Sequence, residues 1–99
     1  MNFEQYQTED RRLTILRALA AAVQYRANAL LLRSFCDQVG HTCSSDRLAA
    51  DLAWLAEAGL CTTQQPPMGV VVATLTARGL DVAEGRATHP GVQRPQPGA

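Results

Sequence analysis

The chain has 99 residues, equal numbers of basic and acidic residues, and a hydrophobic fraction of 46%. This length allows one domain, and the apolar fraction excludes a wholly disordered chain. No apolar stretch approaches the ~18 residues of a membrane span, and the polar, acidic first ten residues do not form an export signal. We therefore expect one cytoplasmic globular domain without membrane association.

The cysteines and histidines do not form a recognisable metal or disulfide motif. Three cysteines without an export signal argue against a disulfide framework. Cys36, Cys43 and Cys61 contain no CxC or CxxC pair, and zinc requires four converging ligands. We expect no metal or other cofactor, with Cys36 and Cys61 buried as small apolar side chains and His41 facing solvent. No phosphate loop or serine elbow is present, so enzymatic activity is not expected.

Helical periodicity and capping residues predict three helices in the first 59 residues. They cover residues 8–23, 29–39 and 45–58, behind the N-caps Thr8, Asn28 and Ser44. Gly40 and Gly59 end the second and third helices. The core is predicted to comprise Leu13, Leu16, Leu19, Leu31, Phe35, Val39, Leu48, Leu52, Leu55, Leu60, Val71 and Leu75.

After Gly59 the pattern changes to runs of β-branched residues. Residues 60–65 and 70–75 predict two strands, joined by a hairpin turn over residues 66–69. A short fourth helix is predicted after its cap, Thr76. Residues 88–99 are rich in proline and glycine without apolar periodicity, so we expect a flexible tail behind a domain spanning residues 1–87.

Three helices followed by a two-stranded hairpin are the element order of the winged helix-turn-helix, a mainly α fold with a small β-hairpin. Residues 51–60 (DLAWLAEAGL) resemble the end of the recognition helix in winged-helix repressors. Residues 73–79 (ATLTARG) resemble the junction between strand and last helix in the same proteins. The whole sequence is similar to small winged-helix, ArsR-like proteins of Mu-like transposable phages and prophages. The resemblance implies a phage protein that acts on DNA in regulation or packaging, or that takes part in virion assembly.

In such a fold, the first turn of the third helix enters the major groove of double-stranded DNA. Arg47 lies in that turn and matches the acceptors of guanine. The alternative is that Ser44 only caps the helix and that Arg47 pairs with Asp51 four residues later. The candidate DNA-binding residues are Ser44, Ser45, Arg47 and Ala50 of the third helix, Arg11 and Arg12 of the first, Gln64 and Gln65 of the wing, and Arg86 and Arg94 near the tail.

The charge pattern supports a second hypothesis, a protein-interaction adaptor that binds a phage or host protein without DNA. The wing is uncharged, and the third helix contains more acidic than basic residues. Trp54 and Met68 are candidate anchors for such a partner, since Trp is enriched at interface hot spots; Trp54 alternatively covers the edge of the core. We also expect a homodimer through the first and last helices. Its candidate contacts are Ile15, Leu19, Leu80 and Val82.

Overall fold

Four helices and a three-stranded antiparallel sheet form a small α+β domain in the computed structural model, which describes residues 2–97. The helices are α1 (Phe3–Ala21), α2 (Ala29–Gln38), α3 (Ser45–Glu57) and α4 (Ala77–Ala83). The strands are β1 (Arg26–Asn28), β2 (Cys61–Gln64) and β3 (Val72–Leu75). Between residues 2 and 97, no helix has the length and apolar character needed to cross a membrane.

The predicted caps of α2, α3 and α4 are confirmed. Asn28, Ser44 and Thr76 each accept a hydrogen bond from the backbone N–H three residues later, at 2.8, 3.0 and 3.0 Å. The predicted cap Thr8 is wrong, because α1 begins five residues earlier behind Asn2. This first turn lies outside the core, so it carries no apolar periodicity that would reveal it in the sequence.

The sheet contains the predicted hairpin and one further strand. β2 pairs with β3 in the register Cys61↔Leu75, which confirms the hairpin. β1 pairs with the other edge of β3, in the register Arg26↔Thr74, so the strand order is β1-β3-β2. Three residues are too few to show the alternation that marks a strand, so the sequence pattern does not predict β1.

The core prediction holds for α1 and α3 and fails for α2. The predicted leucines of α1 and α3 are buried, together with Leu60 and Leu75. In α2 the predicted stripe of Leu31, Phe35 and Val39 is exposed, and the neighbouring stripe of Leu32 and Cys36 is buried. Both stripes of α2 are apolar, so periodicity alone could not select the one that faces α1 and α3.

The C-terminal segment packs against the domain, so the expectation of a flexible tail is wrong for its described part. Val92 is buried, and the Gln93 N–H donates to the Glu9 carbonyl at 3.1 Å. We call residues 88–95 the C-terminal strap. Val92, the Gln93–Glu9 backbone hydrogen bond and side-chain contacts from α1 and α3 hold it, and none of these produces a periodic signal in the sequence. Residues 98 and 99 of the predicted tail lie outside the described range.

Candidate nucleic-acid interface

The first turn of α3 and the adjacent side of α2 form an exposed corner that holds two arginines and one acidic residue, Asp46. Ser44 caps α3, and Ser45 and Arg47 follow it on the exposed first turn. The Arg33 guanidinium of α2 donates a hydrogen bond to the Ser45 hydroxyl. We call Arg33, Ser44, Ser45 and Arg47 the α3 corner. Its two guanidinium groups lie at the positive end of the α3 dipole, where an anion is favoured.

Arg33 was not among the residues selected from the sequence. It lies on the exposed side of α2, away from the buried Leu32 and Cys36. The predicted helix-turn-helix order is the feature of the sequence that could have pointed to Arg33, because that order brings the second helix beside the start of the third. The structure thus adds a second arginine to the corner predicted from Arg47.

The exposed face of α3 consists mainly of small side chains. Ala49, Ala50 and Ala53 are exposed, so a ligand surface can approach the helix backbone closely. Asp51 lies on the opposite side and is buried. The alternative interpretation that Asp51 pairs with Arg47 is therefore wrong, and the acidic charge of this face is smaller than the sequence indicated.

The β2–β3 hairpin, which is the predicted wing, places amide groups and one arginine together. Gln64 and Gln65 are exposed, and the Gln65 amide donates to the Gly69 carbonyl at 3.0 Å. These two residues line a surface hollow of about 450 Å³ that Arg26 of β1 also lines. The pairing of β1 with β3 therefore brings a positive charge to a wing that has none in its own sequence. Met68 at the tip is 93% exposed.

Arg11 and Arg12, the candidate DNA-binding residues of α1, contact the domain itself. Arg11 is buried, and its Nε donates a hydrogen bond to the Asp51 carboxylate. Arg12 Nε lies 3.7 Å from the other carboxylate oxygen of Asp51. Burial lowers the pKa of Arg11, but the hydrogen bond and charge of Asp51 outweigh it, so its pKa lies above the ordinary value. Arg11 is buried and paired within the fold, which contradicts its predicted phosphate contact. Arg12 is half-buried, and its phosphate contact stays a prediction.

Trp54 is covered by the chain itself. The Arg12 guanidinium lies 3.8 Å from the centre of the Trp54 ring, as a cation–π contact. His89 of the strap meets the ring edge-on, with ring centroids 5.6 Å apart. Arg12 Nη1 also donates to the Gly91 carbonyl at 2.9 Å. Trp54 therefore covers the edge of the core, as one of the two interpretations predicted, and binds α1 to the strap.

The remaining basic candidates, Arg86 and Arg94, differ in whether acidic side chains already compensate their charge. Arg86 is exposed but forms ion pairs with Asp81 and Glu84, at 3.1 and 2.6 Å. The hydrogen bond to Glu84, and after it the hydrogen bond to Asp81, raise the pKa of Arg86. Arg94 is exposed at the end of the strap. Of the two, Arg94 is the better placed to reach a ligand, because the charge of Arg86 is already compensated.

The predicted dimer contacts are also corrected. Ile15, Leu19 and Val82 are buried within the single chain, and Leu80 is half-buried. α1 and α4 pack on each other, so Ile15, Leu19 and Val82 cannot contact a partner and Leu80 stays only partly accessible. The same apolar spacing that indicated a dimer surface is satisfied inside the monomer.

The thiols behave as the sequence predicted and His41 does not. Cys36 and Cys61 are buried, and burial raises their pKa to about 12 and about 11 respectively. His41 Nε2 lies 2.7 Å from an Asp10 carboxylate oxygen, so the ring joins the turn before α3 to α1 instead of facing solvent. Among residues 2–97, no three His, Cys, Asp or Glu side chains converge on one point.

Comparison with known proteins shows that the chain is phage-related. The chain is 48% identical to protein gp26 of Escherichia phage Mu over 92 residues, which cover 93% of this chain and 94% of gp26. It is 39% identical over 80 residues to an uncharacterized protein of Haemophilus influenzae, across 81% of this chain and 78% of that protein. No family model and no solved structure matches the chain. The chain belongs to the family of phage Mu gp26, so the predicted relationship to Mu-like phages is confirmed.

Proposed function

We propose that this chain is a phage winged-helix protein that binds double-stranded DNA in the bacterial cytoplasm, as a regulator or as an accessory to DNA packaging. The order α1-β1-α2-α3-β2-β3 with the sheet order β1-β3-β2 supports the winged-helix assignment. The phage relatives support a role in the phage cycle. A short turn over residues 39–44 joins α2 to α3, as a helix-turn-helix requires.

The observation that carries this proposal is the α3 corner. Two exposed guanidinium groups flank Ser45 at the start of the helix that this fold inserts into the major groove. In the proposed complex, Arg47 reads guanine O6 and N7, and Arg33 binds a neighbouring phosphate. The exposed alanines of α3 allow the helix to enter the groove. Arg26, beside the wing glutamines, supplies a further phosphate contact.

Binding to random and selected duplex DNA across a salt series tests the proposal. Affinity should fall steeply as salt rises, with a slope of about one for each phosphate contact. Arg33→Ala should weaken binding to all sequences and reduce that slope by about one, whereas Arg47→Ala should cost ~1–3 kcal/mol and blur the preference at one base pair. Arg78→Ala is the matched control, because Arg78 is exposed on α4, outside the corner. Absence of binding at low salt would contradict the proposal.

Met68 supports the second candidate function, an adaptor that binds a phage or host protein. The side chain is almost fully exposed at the wing tip, between Pro67 and Gly69. Met adapts to irregular apolar surfaces and is common at binding sites. If the protein fails to bind DNA, a Met68→Ser variant that loses a partner captured by the wild type would establish the adaptor function instead.

A further inference from the structure

Large apolar side chains are exposed along one side of the domain, where α1 and α2 lie together. A groove of about 360 Å³ runs between these helices. Its α1 wall consists of Ala18, Ala21 and Ala22, and its α2 wall includes Leu31 and Phe35. A second hollow of about 420 Å³ adjoins the first turns of α1 and the end of α2. We define the α1–α2 face by its exposed apolar side chains, which are Phe3, Tyr6, Val23, Leu31, Phe35 and Val39.

Val23 forms a projection beside this groove. It follows Ala22 directly and is 86% exposed. The next two residues, Gln24 and Tyr25, adopt φ angles of +56° and +58°. Non-glycine residues rarely adopt this left-handed region, and they are retained there where the conformation has a use. The turn therefore keeps an apolar side chain in water at a cost, next to an apolar hollow.

The size and charge of the α1–α2 face fit a second copy of the chain. Its aromatic residues Phe3, Tyr6 and Phe35 alone expose roughly 250–400 Å², taking ~150–250 Å² for each when fully exposed, and Val23, Leu31 and Val39 add to this area. A typical monomer has a largest apolar patch of about 300–600 Å², and a stable interface buries about 800 Å² on each partner. The residues that line the groove are all uncharged, so two facing copies bring no like charges together there.

A two-fold interface requires a patch that is complementary to itself. A projection and a hollow that lie side by side on one face meet this requirement, because a two-fold rotation places each projection over the other hollow. We propose that the α1–α2 face binds a second copy of this chain, with Val23 of each protomer in the alanine-lined groove of its partner.

The proposed dimer leaves the α3 corner accessible. Phe35 belongs to the α1–α2 face and Arg33 to the corner, and residues two apart on a helix point to nearly opposite sides. The dimer proposal does not depend on DNA binding, since neither its residues nor its test involves DNA. A dimer would present two α3 corners, which agrees with the recognition of paired half-sites in the proposed function.

Sedimentation velocity and light scattering over a range from low to high micromolar concentration test the proposal. The wild type should have twice the chain mass of 10.7 kDa. Val23→Glu and Leu31→Glu should each raise the dimer dissociation constant by at least ~100-fold, because they place a carboxylate in an apolar contact. The matched control is Leu30→Glu, since Leu30 is 56% exposed against 62% for Leu31 but does not line the groove.

Either of two results would overturn the proposal. The first is a wild type that remains at the chain mass throughout the concentration range, which would assign the face to a different protein. The second is a dimer that Leu30→Glu disrupts and that both groove variants preserve. All three positions are exposed, so circular dichroism should show an unchanged fold. Val23→Glu keeps the test decisive even if one α2 variant fails to fold, because Val23 lies outside both α1 and α2.

Discussion

The arginines of α1 and those of the α3 corner are the same residue type in opposite environments. Arg11 and Arg12 project toward Asp51 and Trp54 and are held by the fold. Arg33 and Arg47 remain exposed, with only a serine hydroxyl bonded to one of them. A guanidinium beside a buried carboxylate contributes to folding, whereas one on an exposed helix start is free for an anionic ligand. Asp51→Ala and the corner variants Arg33→Ala and Arg47→Ala test this difference directly, and two predictions on other buried groups of the same fold come between them in order of expected effect on stability.

Asp51→Ala should have the largest effect, because it leaves the Arg11 guanidinium buried without its carboxylate. Breaking one side of a buried ion pair costs about 3–5 kcal/mol, so the free energy of unfolding in urea should fall by that amount. Asp46→Ala is the control, since Asp46 is exposed on the same helix; it should change stability by less than ~0.5 kcal/mol. Equal effects of the two variants would contradict the buried-pair interpretation.

Gly91→Ala should release the strap from Trp54. A Cβ atom on Gly91 would lie 2.6 Å from Trp54 Cζ2, and the residue has φ +93°. Gly40→Ala is the control, because Gly40 has φ +97° but nothing within 4 Å of its added Cβ. In both variants the free energy of unfolding should fall by ~1–2 kcal/mol, because a non-glycine residue is strained in the left-handed region. Only Gly91→Ala should also shift the fluorescence emission of Trp54, the single Trp, to longer wavelength. An unshifted spectrum would place the strap elsewhere.

Alkaline pH should destabilise the protein through its buried thiols. Cys36 and Cys61 have pKa values raised by burial to about 12 and about 11. Above about pH 9 the unfolded thiols ionise and the folded ones do not, so the unfolded state binds fewer protons and the free energy of unfolding falls. Each thiol adds at most ~1.4 kcal/mol per pH unit, until the folded thiols ionise as well. A Cys36→Ala/Cys61→Ala variant should show a shallower slope in urea titrations from pH 8 to 11.

Arg33→Ala and Arg47→Ala should have the smallest effect on stability. Both side chains are exposed, so each change should alter the free energy of unfolding by less than ~0.5 kcal/mol. The same variants should weaken DNA binding as described above. A loss of more than ~1.5 kcal/mol of stability in thermal or urea unfolding would show that the corner, like the α1 arginines, is a structural element.

The exposed stripe of α2 shows where pattern reasoning reaches its limit. Leu31, Phe35 and Val39 satisfy helical periodicity as well as the leucines of α1 and α3 do. They are exposed because α2 turns its Leu32 and Cys36 stripe to the core. The four-residue spacing of Leu31, Phe35 and Val39 is a property of the local sequence. Which side of α2 is buried depends on the elements that pack against the helix.

Local chemistry determined the features that depend on a few neighbouring residues. The caps of α2, α3 and α4 follow from side-chain oxygens that satisfy free N–H groups at helix starts, and the β2–β3 hairpin follows from β-branched runs around a proline-rich turn. Only the tertiary structure decided which arginines are free. Arg11 meets Asp51 across 40 positions of sequence, and the strap reaches Trp54 from the far end of the chain. Such contacts arise when the helices pack, because ion pairs and cation–π contacts depend on distance in space and carry no period along the sequence.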